Sequence, residues 1–145
     1  MKKGLPRIQQ VSIKGFLCRD KKVLLLKTPE NDKNDGTWEL PGGRMDFGES
    51  VEQAFSREMK EELGFEKAVM GKLLNSWSFM SVREGIDYHF IIFDFEIYSD
   101  ESKIKLSDEH DEYRWIGEGE FEKLNMREGH KETLRKYFGN TETEL

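Results

Sequence analysis

Alternating apolar and polar positions mark out most of the chain. Val11, Ile13, Gly15 and Leu17 share one side of a two-residue period, and Val23-Leu-Leu-Leu follows the turn Arg19-Asp-Lys-Lys, so residues 9–27 read as a hairpin. Residues 28–36 are polar and turn-forming, a loop that is either functional or simply mobile. Trp38-Glu-Leu is a short apolar segment stopped by Pro41-Gly42-Gly43, where the chain bends. Leu73, Asn75, Trp77 and Phe79 alternate with Leu74, Ser76, Ser78 and Met80, and Arg83-Glu-Gly85 turns the chain into a second run. There Ile91, Phe93, Phe95 and Ile97 share one face while Phe90 and Ile92 lie opposite, which predicts a central strand buried on both sides. Residues 99–112 read as an acidic loop, 113–116 as a short strand, 118–124 and 126–138 as helices, and 139–145 as a frayed tail.

Between these strands, residues 51–63 follow the helical period. Ser50 is placed as an N-cap with Gln53 completing a capping box, and Gly64 followed by Phe65 marks the other end. At about 100° per residue, with Val51 at zero, Ala54, Phe55 and Met59 define an inward face. On the same wheel Glu58 falls at ~340° and Glu62 at ~20°, within that face, and Glu61 at its edge at ~280°. Two carboxylates about 5 Å apart at an effective dielectric near 20 repel by roughly 3 kcal/mol, beyond what each loses by desolvation. Three acids within one turn, beside a glycine-rich bend with free carbonyls, suit a hard divalent cation such as Mg2+. Arg57, four residues before Glu61 and adjacent to Glu58, can orient an acid without competing for the metal. Taken alone, the hexapeptide Arg-Glu-Met-Lys-Glu-Glu reads as one more solvated, charge-rich helix; the inward placement and the preceding bend distinguish it.

Composition narrows the class. A chain of 145 residues with 36% hydrophobic and 36% charged residues reads as one polar-surfaced domain, with no apolar run near the roughly 20 residues that span a bilayer. Lys2 and Lys3 are followed by no apolar signal core, so a cytoplasmic chain is expected. The net charge of -6 disfavours a nucleic-acid polymer as partner and means that an anionic ligand needs a locally bound cation. His89, His110 and His130 are far apart and lack zinc spacing, so oxygen ligands must hold any metal. Cys18 reads as a buried inert thiol.

The residues Gly43, Glu49, Arg57, Glu58, Met59, Glu61, Glu62, Gly64 and Phe65 match, at each spacing, the Nudix box G-x5-E-x7-R-E-U-x-E-E-x-G-U, where U is bulky and apolar. The chain thus resembles the Nudix hydrolases. Met59 is a mild departure from the more usual Leu, Ile or Val. The resemblance directly covers the stretch from Gly43 to Phe65, and the flanking elements agree with it.

The resemblance implies a mixed α/β (α+β) fold, an α-β-α sandwich with a central mixed sheet flanked by helices. It implies a Mg2+-dependent or Mn2+-dependent hydrolase that cuts the diphosphate bond of a nucleoside diphosphate derivative by attack of water at phosphorus. Glu58, Glu61, Glu62 and the Gly43 carbonyl would be metal ligands, Glu58 a general base steadied by Arg57, and Glu49 a support from the loop. A glutamate from a later loop often serves as the base in this family, and here Glu109 or Glu112 is the choice among Asp108, Glu109, Asp111 and Glu112. Trp38, Arg44, Phe79 and His89 are candidate substrate contacts, with Trp77 and Tyr88 as further rings, although aromatics at strand spacing also serve as core.

Two clues to substrate conflict. Leu106 to Gly117 looks like the corresponding part of dinucleoside tetraphosphate hydrolases, whereas Leu40-Pro-Gly-Gly-Arg-Met departs from the Pro-Lys-Gly-His form of those enzymes. The latter looks more like Nudix proteins that act on nucleoside triphosphates, oxidised nucleotides, nucleotide sugars or ADP-ribose. A non-catalytic nucleotide sensor and an isoprenoid diphosphate isomerase share the architecture; the sensor usually has an eroded box and the isomerase needs cysteine chemistry. Homodimers are common among the proteins it resembles.

Overall fold

The computed structural model describes residues 4–30 and 36–143, with side chains to Gly139. Its strands are β1 (Arg7–Phe16), β2 (Cys18–Arg19), β3 (Lys22–Lys27), β4 (Trp38–Glu39), β5 (Gly42–Arg44), β6 (Val69–Arg83), β7 (Ile86–Tyr98) and β8 (Glu112–Gly117). Its helices are α1 (Val51–Leu63) and α2 (Glu128–Thr143). A mixed sheet has the order β5-β1-β7-β6, with β1 and β7 parallel and the other pairs antiparallel. A second, antiparallel sheet pairs β3 with β8 along its length and with β2 and β4 at its two ends.

The run of residues 9–27 does not form one hairpin. β1 pairs over its full length with β7, and at Leu17 the chain passes to the second sheet, where only Cys18–Arg19 folds back on Lys22 and Val23. The turn itself lies where the sequence places it, with Asp20 and Lys21 both at positive φ, as the hairpin twist requires. Local alternation shows that both runs are strands but carries no information about which sheet each joins.

β7 is the central strand its pattern predicts, lying between β1 and β6. Gly42, at φ 131, lets β5 lie against β1: a Cβ there would come within 2.2 Å of the Ile13 carbonyl oxygen. Ile13, Leu24, Leu26, Phe55 and Met59 belong to a core shared with α1, and Phe16, Val23, Leu25, Leu134 and Phe138 to a core shared with α2. β3 therefore buries alternate side chains on opposite faces, and the sheets are sandwiched between the two helices.

Both caps of α1 form as read from the sequence. Ser50 Oγ accepts from the Gln53 amide at 3.1 Å, Gln53 Oε1 accepts from the Ser50 amide at 2.8 Å, and Gly64 ends the helix at φ 74. Residues 118–124 give only a short 3-10 turn, Phe121–Lys123. Helix α2 starts at Glu128 and continues past Gly139 to Thr143, where the sequence suggested a frayed tail; one glycine inside a helix costs only about 1 kcal/mol. Residues 144 and 145, and 31–35 of the polar loop, lie outside the described residues.

Candidate active site

The helical period decides which acids of α1 turn inward. The side chains of Glu58 and Glu62 are 8% and 2% exposed, against 56% for Glu61. The Glu58 carboxylate lies over Gly43, its oxygens 3.0 and 3.1 Å from where a Cβ would sit, so the second glycine of the bend makes room for the acid. Arg57 holds the group together. It donates to both oxygens of Glu49, at 2.7 and 2.8 Å, to Glu58 at 2.9 Å, to Glu61 at 3.2 Å and to the Arg44 carbonyl at 2.9 Å.

Charge follows from this arrangement. Burial raises the Glu58 pKa, Arg57 opposes it, and the charges of Glu62 and Glu61 add to the rise, leaving Glu58 at about 7. Glu49 goes the other way, to about 2, because of the Arg57 hydrogen bonds and the Asp46 amide.

A second set of polar groups closes on the acids from behind. Ser107 Oγ donates to Glu62 Oε2 at 2.7 Å. His110, on the same loop, has Nε2 at 2.7 Å from Glu39 and Nδ1 at 3.5 Å from Glu62. Burial lowers the His110 pKa, but the bonds and charges of Glu39 and Glu62 outweigh it and raise it to about 9. Burial disfavours ionised Glu39 as well, yet Lys14 and His110 bring its pKa down to about 2. Lys14, itself buried on β1, donates to the Gly42 carbonyl at 3.1 Å and lies 3.8 Å from Glu39.

These groups form one end of a cleft of about 810 Å³. Ser12, Phe90, Ile92, Trp77 and Phe79 line it from the mixed sheet, and Arg127 and His130 line it from the start of α2 and the residue before it. Arg127 sits with its guanidinium carbon 3.7 Å from the Phe79 ring centre, and Trp77 meets His130 edge to face at 4.8 Å. Burial, with the charge of Lys14, lowers the His130 pKa to about 3, so it is neutral at pH 7.

A family model of the NUDIX domain matches residues 9–137. The chain belongs to the NUDIX family. A nucleoside triphosphatase NudI of Salmonella arizonae is 31% identical over 136 residues, 88% of this chain and 95% of that protein. A CTP pyrophosphohydrolase of Escherichia coli K12 is 45% identical over 57 residues, 39% of this chain and 42% of that protein, so the match spans less than half of this relative's length. The crystal structure of a MutT protein from Methanosarcina mazei Go1 superposes with a TM-score of 0.70 at 27% identity, covering 95% of this chain and 97% of the other.

Within this Nudix site the structure brings together Gly43, Arg44, Arg57, Glu58, Glu61, Glu62, Phe79 and Glu109, all of which line the cleft. It leaves out three residues that the sequence reading proposed. Trp38 is 5% exposed and packed in the α2-side core; strand alternation turns its neighbour Glu39 to the cleft instead. His89 hydrogen-bonds Gln9 and lines a separate depression with Ile8 and Met80, because on β7 it alternates with Phe90. Glu112 lies at the start of β8, bonded to Arg114. Lys14, Glu39, His110 and Arg127 join the site from outside the motif. A lysine within the apolar run Val11 to Leu17 was a readable signal for the first, whereas the others depend on how loops meet strands.

Nudix hydrolases are generally divalent-metal dependent. Among the described residues no three His, Cys, Asp or Glu side chains converge as a ligand cage. The donor set nevertheless fits a hard cation. Glu62 Oε1 is buried without a hydrogen-bond partner, and the crowding of Glu58, Glu61 and Glu62 raises the proton affinity of Glu58.

Proposed function

We propose that this chain is a divalent-metal-dependent pyrophosphohydrolase that cleaves the diphosphate linkage of a nucleoside diphosphate derivative by attack of water at phosphorus. One observation carries the reading: the buried carboxylate of Glu58 lies over Gly43, and that of Glu62 lines the same cleft, whose other end is aromatic. Carboxylates of Glu58, Glu61 and Glu62, with the Gly43 carbonyl, would hold Mg2+ or Mn2+, which when bound neutralises phosphate charge and acidifies water.

The protein's own groups have distinct parts in this proposal. Arg57 fixes the rotamers of Glu58 and Glu61 and leaves their remaining lone pairs free, because its other donors are occupied by Glu49 and the Arg44 carbonyl. Lys14 adds positive charge to the floor of a cleft that must accept a polyanion in an acidic protein. Glu109, on the loop that Ser107 and His110 fasten to Glu62, is the candidate base for the attacking water, and Glu58, with its raised pKa, is the other. Trp77 and Phe79, the latter beneath Arg127, form the aromatic wall for the nucleoside. A cytoplasmic setting, where nucleotides are abundant, belongs to the same proposal.

Incubation with Mg2+ and a panel of nucleoside triphosphates, oxidised nucleotides, ADP-ribose, nucleotide sugars and dinucleoside polyphosphates, with product identification and an EDTA control, tests the reading. Cleavage of one class between phosphates, abolished by EDTA, is expected. Tight binding of a panel member with no cleavage would replace the enzyme by a sensor.

A further inference from the structure

The cleft crosses the mixed sheet from edge to edge. Its acidic end lies at β5, where Glu58 rests on Gly43, and its other end at β6, where Arg127 rests on Phe79. With the order β5-β1-β7-β6, these edges are three strand spacings apart, about 14 Å. A diphosphate held at the acids, as proposed above, thus leaves the β6 end for the organic end of the substrate. Arg127 and Glu58 thus enter the cleft from over opposite edges of the sheet.

The polar side chains at that end are Arg127 and neutral His130, whose ring lies edge to face against Trp77 and carries one donor and one acceptor. Arg127 carries five N–H groups and no acceptor, and among the described residues its guanidinium makes no ion pair or hydrogen bond. Stacking on Phe79 holds the group in place without occupying any N–H. Trp77 turns its Nε1 into the sheet, donating to Asp94 at 3.0 Å, and so offers the cleft a ring and no polar atom. Glu39 is engaged through Oε2 by His110 and Lys14.

We propose that Arg127, seated on Phe79, reads the nucleobase through two parallel hydrogen bonds to adjacent acceptor atoms, so that the enzyme selects guanine and cytosine nucleotides over adenine and uracil nucleotides. The inference rests on the proposed function for the direction in which the substrate lies. Guanine presents O6 beside N7, and cytosine O2 beside N3. Adenine sets its amino group next to both N1 and N7, facing the guanidinium with a donor. Uracil interposes N3–H between its two carbonyls. An oxidised guanine with hydrogen on N7 loses one of the two acceptors and falls into the disfavoured group.

The test compares wild type, R127A and R127K in initial rates with Mg2+ and GTP, CTP, ATP, UTP and 7-deaza-GTP. Calorimetric binding of GMP, CMP and AMP in EDTA serves as a readout independent of turnover. Wild-type kcat/KM for GTP and CTP should exceed that for ATP, UTP and 7-deaza-GTP by about tenfold or more. Both variants should bring all five within about threefold, the change falling on KM more than on kcat; lysine keeps the charge but not the two-point geometry. Preference retained in R127A, an equal loss for every nucleotide, or the absence of any base preference in wild type overturns the proposal. Arg127-dependent binding of GMP and CMP without cleavage of any member of the wider panel of nucleoside diphosphate derivatives would overturn the hydrolase reading and leave this one standing.

Discussion

His110 Nε2 lies 2.7 Å from Glu39 Oε2, with the imidazole 1% exposed, and so ties the loop before β8 to strand β4. The pKa of His110 is raised from 6.5 to about 9 by Glu39 and Glu62 against the effect of burial. A base with a raised native pKa contributes stability that is fully present below the unfolded value and is lost as pH rises through the folded one. Wild-type stability should therefore fall between about pH 6.5 and 9. H110Q should be less stable at pH 7 by about 3 kcal/mol, because buried Glu62 loses its cation and half-buried Glu39 keeps only Lys14, and should lack that decline. Urea unfolding across this pH range measures both, and a flat wild-type profile would show that the contact is not ionic in solution.

Glu58 gives a sharper separation of stability from activity. Its pKa, about 7, reflects a buried carboxylate crowded by two others, so a neutral amide of the same shape relieves strain. E58Q should melt no lower than wild type in EDTA while its Mg2+-dependent kcat falls about a hundredfold or more. Near-normal kcat would remove Glu58 from the mechanism.

The late loop offers a comparison between two glutamates three residues apart. Glu109 lines the cleft, whereas Glu112 is bonded to Arg114 on β8. E109Q should lower kcat by about a hundredfold, within the range for loss of a general base, and E112Q should change it less than threefold. Single-turnover rates for both variants decide the matter, and equal effects would take the base away from this loop.

Asp94 is fully buried in β7, where it accepts from Trp77 at 3.0 Å and from Thr133 at 2.6 Å. Burial raises its pKa from 3.8 to about 6 despite those bonds. Between these values the native state keeps a proton that the unfolded chain has lost, so stability falls as pH rises through the window and then levels off. The full effect is on the order of 3 kcal/mol. D94N keeps an acceptor for both donors and should be more stable than wild type above pH 6, with a shallower fall across pH 4 to 6, the remainder belonging to Glu58. Thermal melts at pH 4, 5, 6 and 7 would show it, and a variant less stable at pH 7 would contradict it.

What the chain determined by itself is the acid-bearing helix and the central strand. Ser50, Gln53 and Gly64 bound α1 through hydrogen bonds within a few residues, and the 3.6-residue period alone puts Glu58 and Glu62 among Ala54, Phe55 and Met59. The two-sided apolar pattern of residues 90–97 likewise requires a strand with neighbours on both edges and layers on both faces, as β7 has. Only the tertiary structure decided which partners those elements meet. Residues 9–27 became parts of two sheets because β1 finds its longest partner in β7, far along the chain, a pairing that local alternation cannot specify. Whether Trp38 or Glu39 faces the cleft depends on which side of β4 the core occupies. Lys14, Glu39 and His110 converge from β1, β4 and the loop before β8, so their shared charge exists only once the sheets have packed. Phe79 and Arg127 meet for the same reason: burial of the apolar face of α2 against the sheet brings the residue before that helix over a ring on the edge strand.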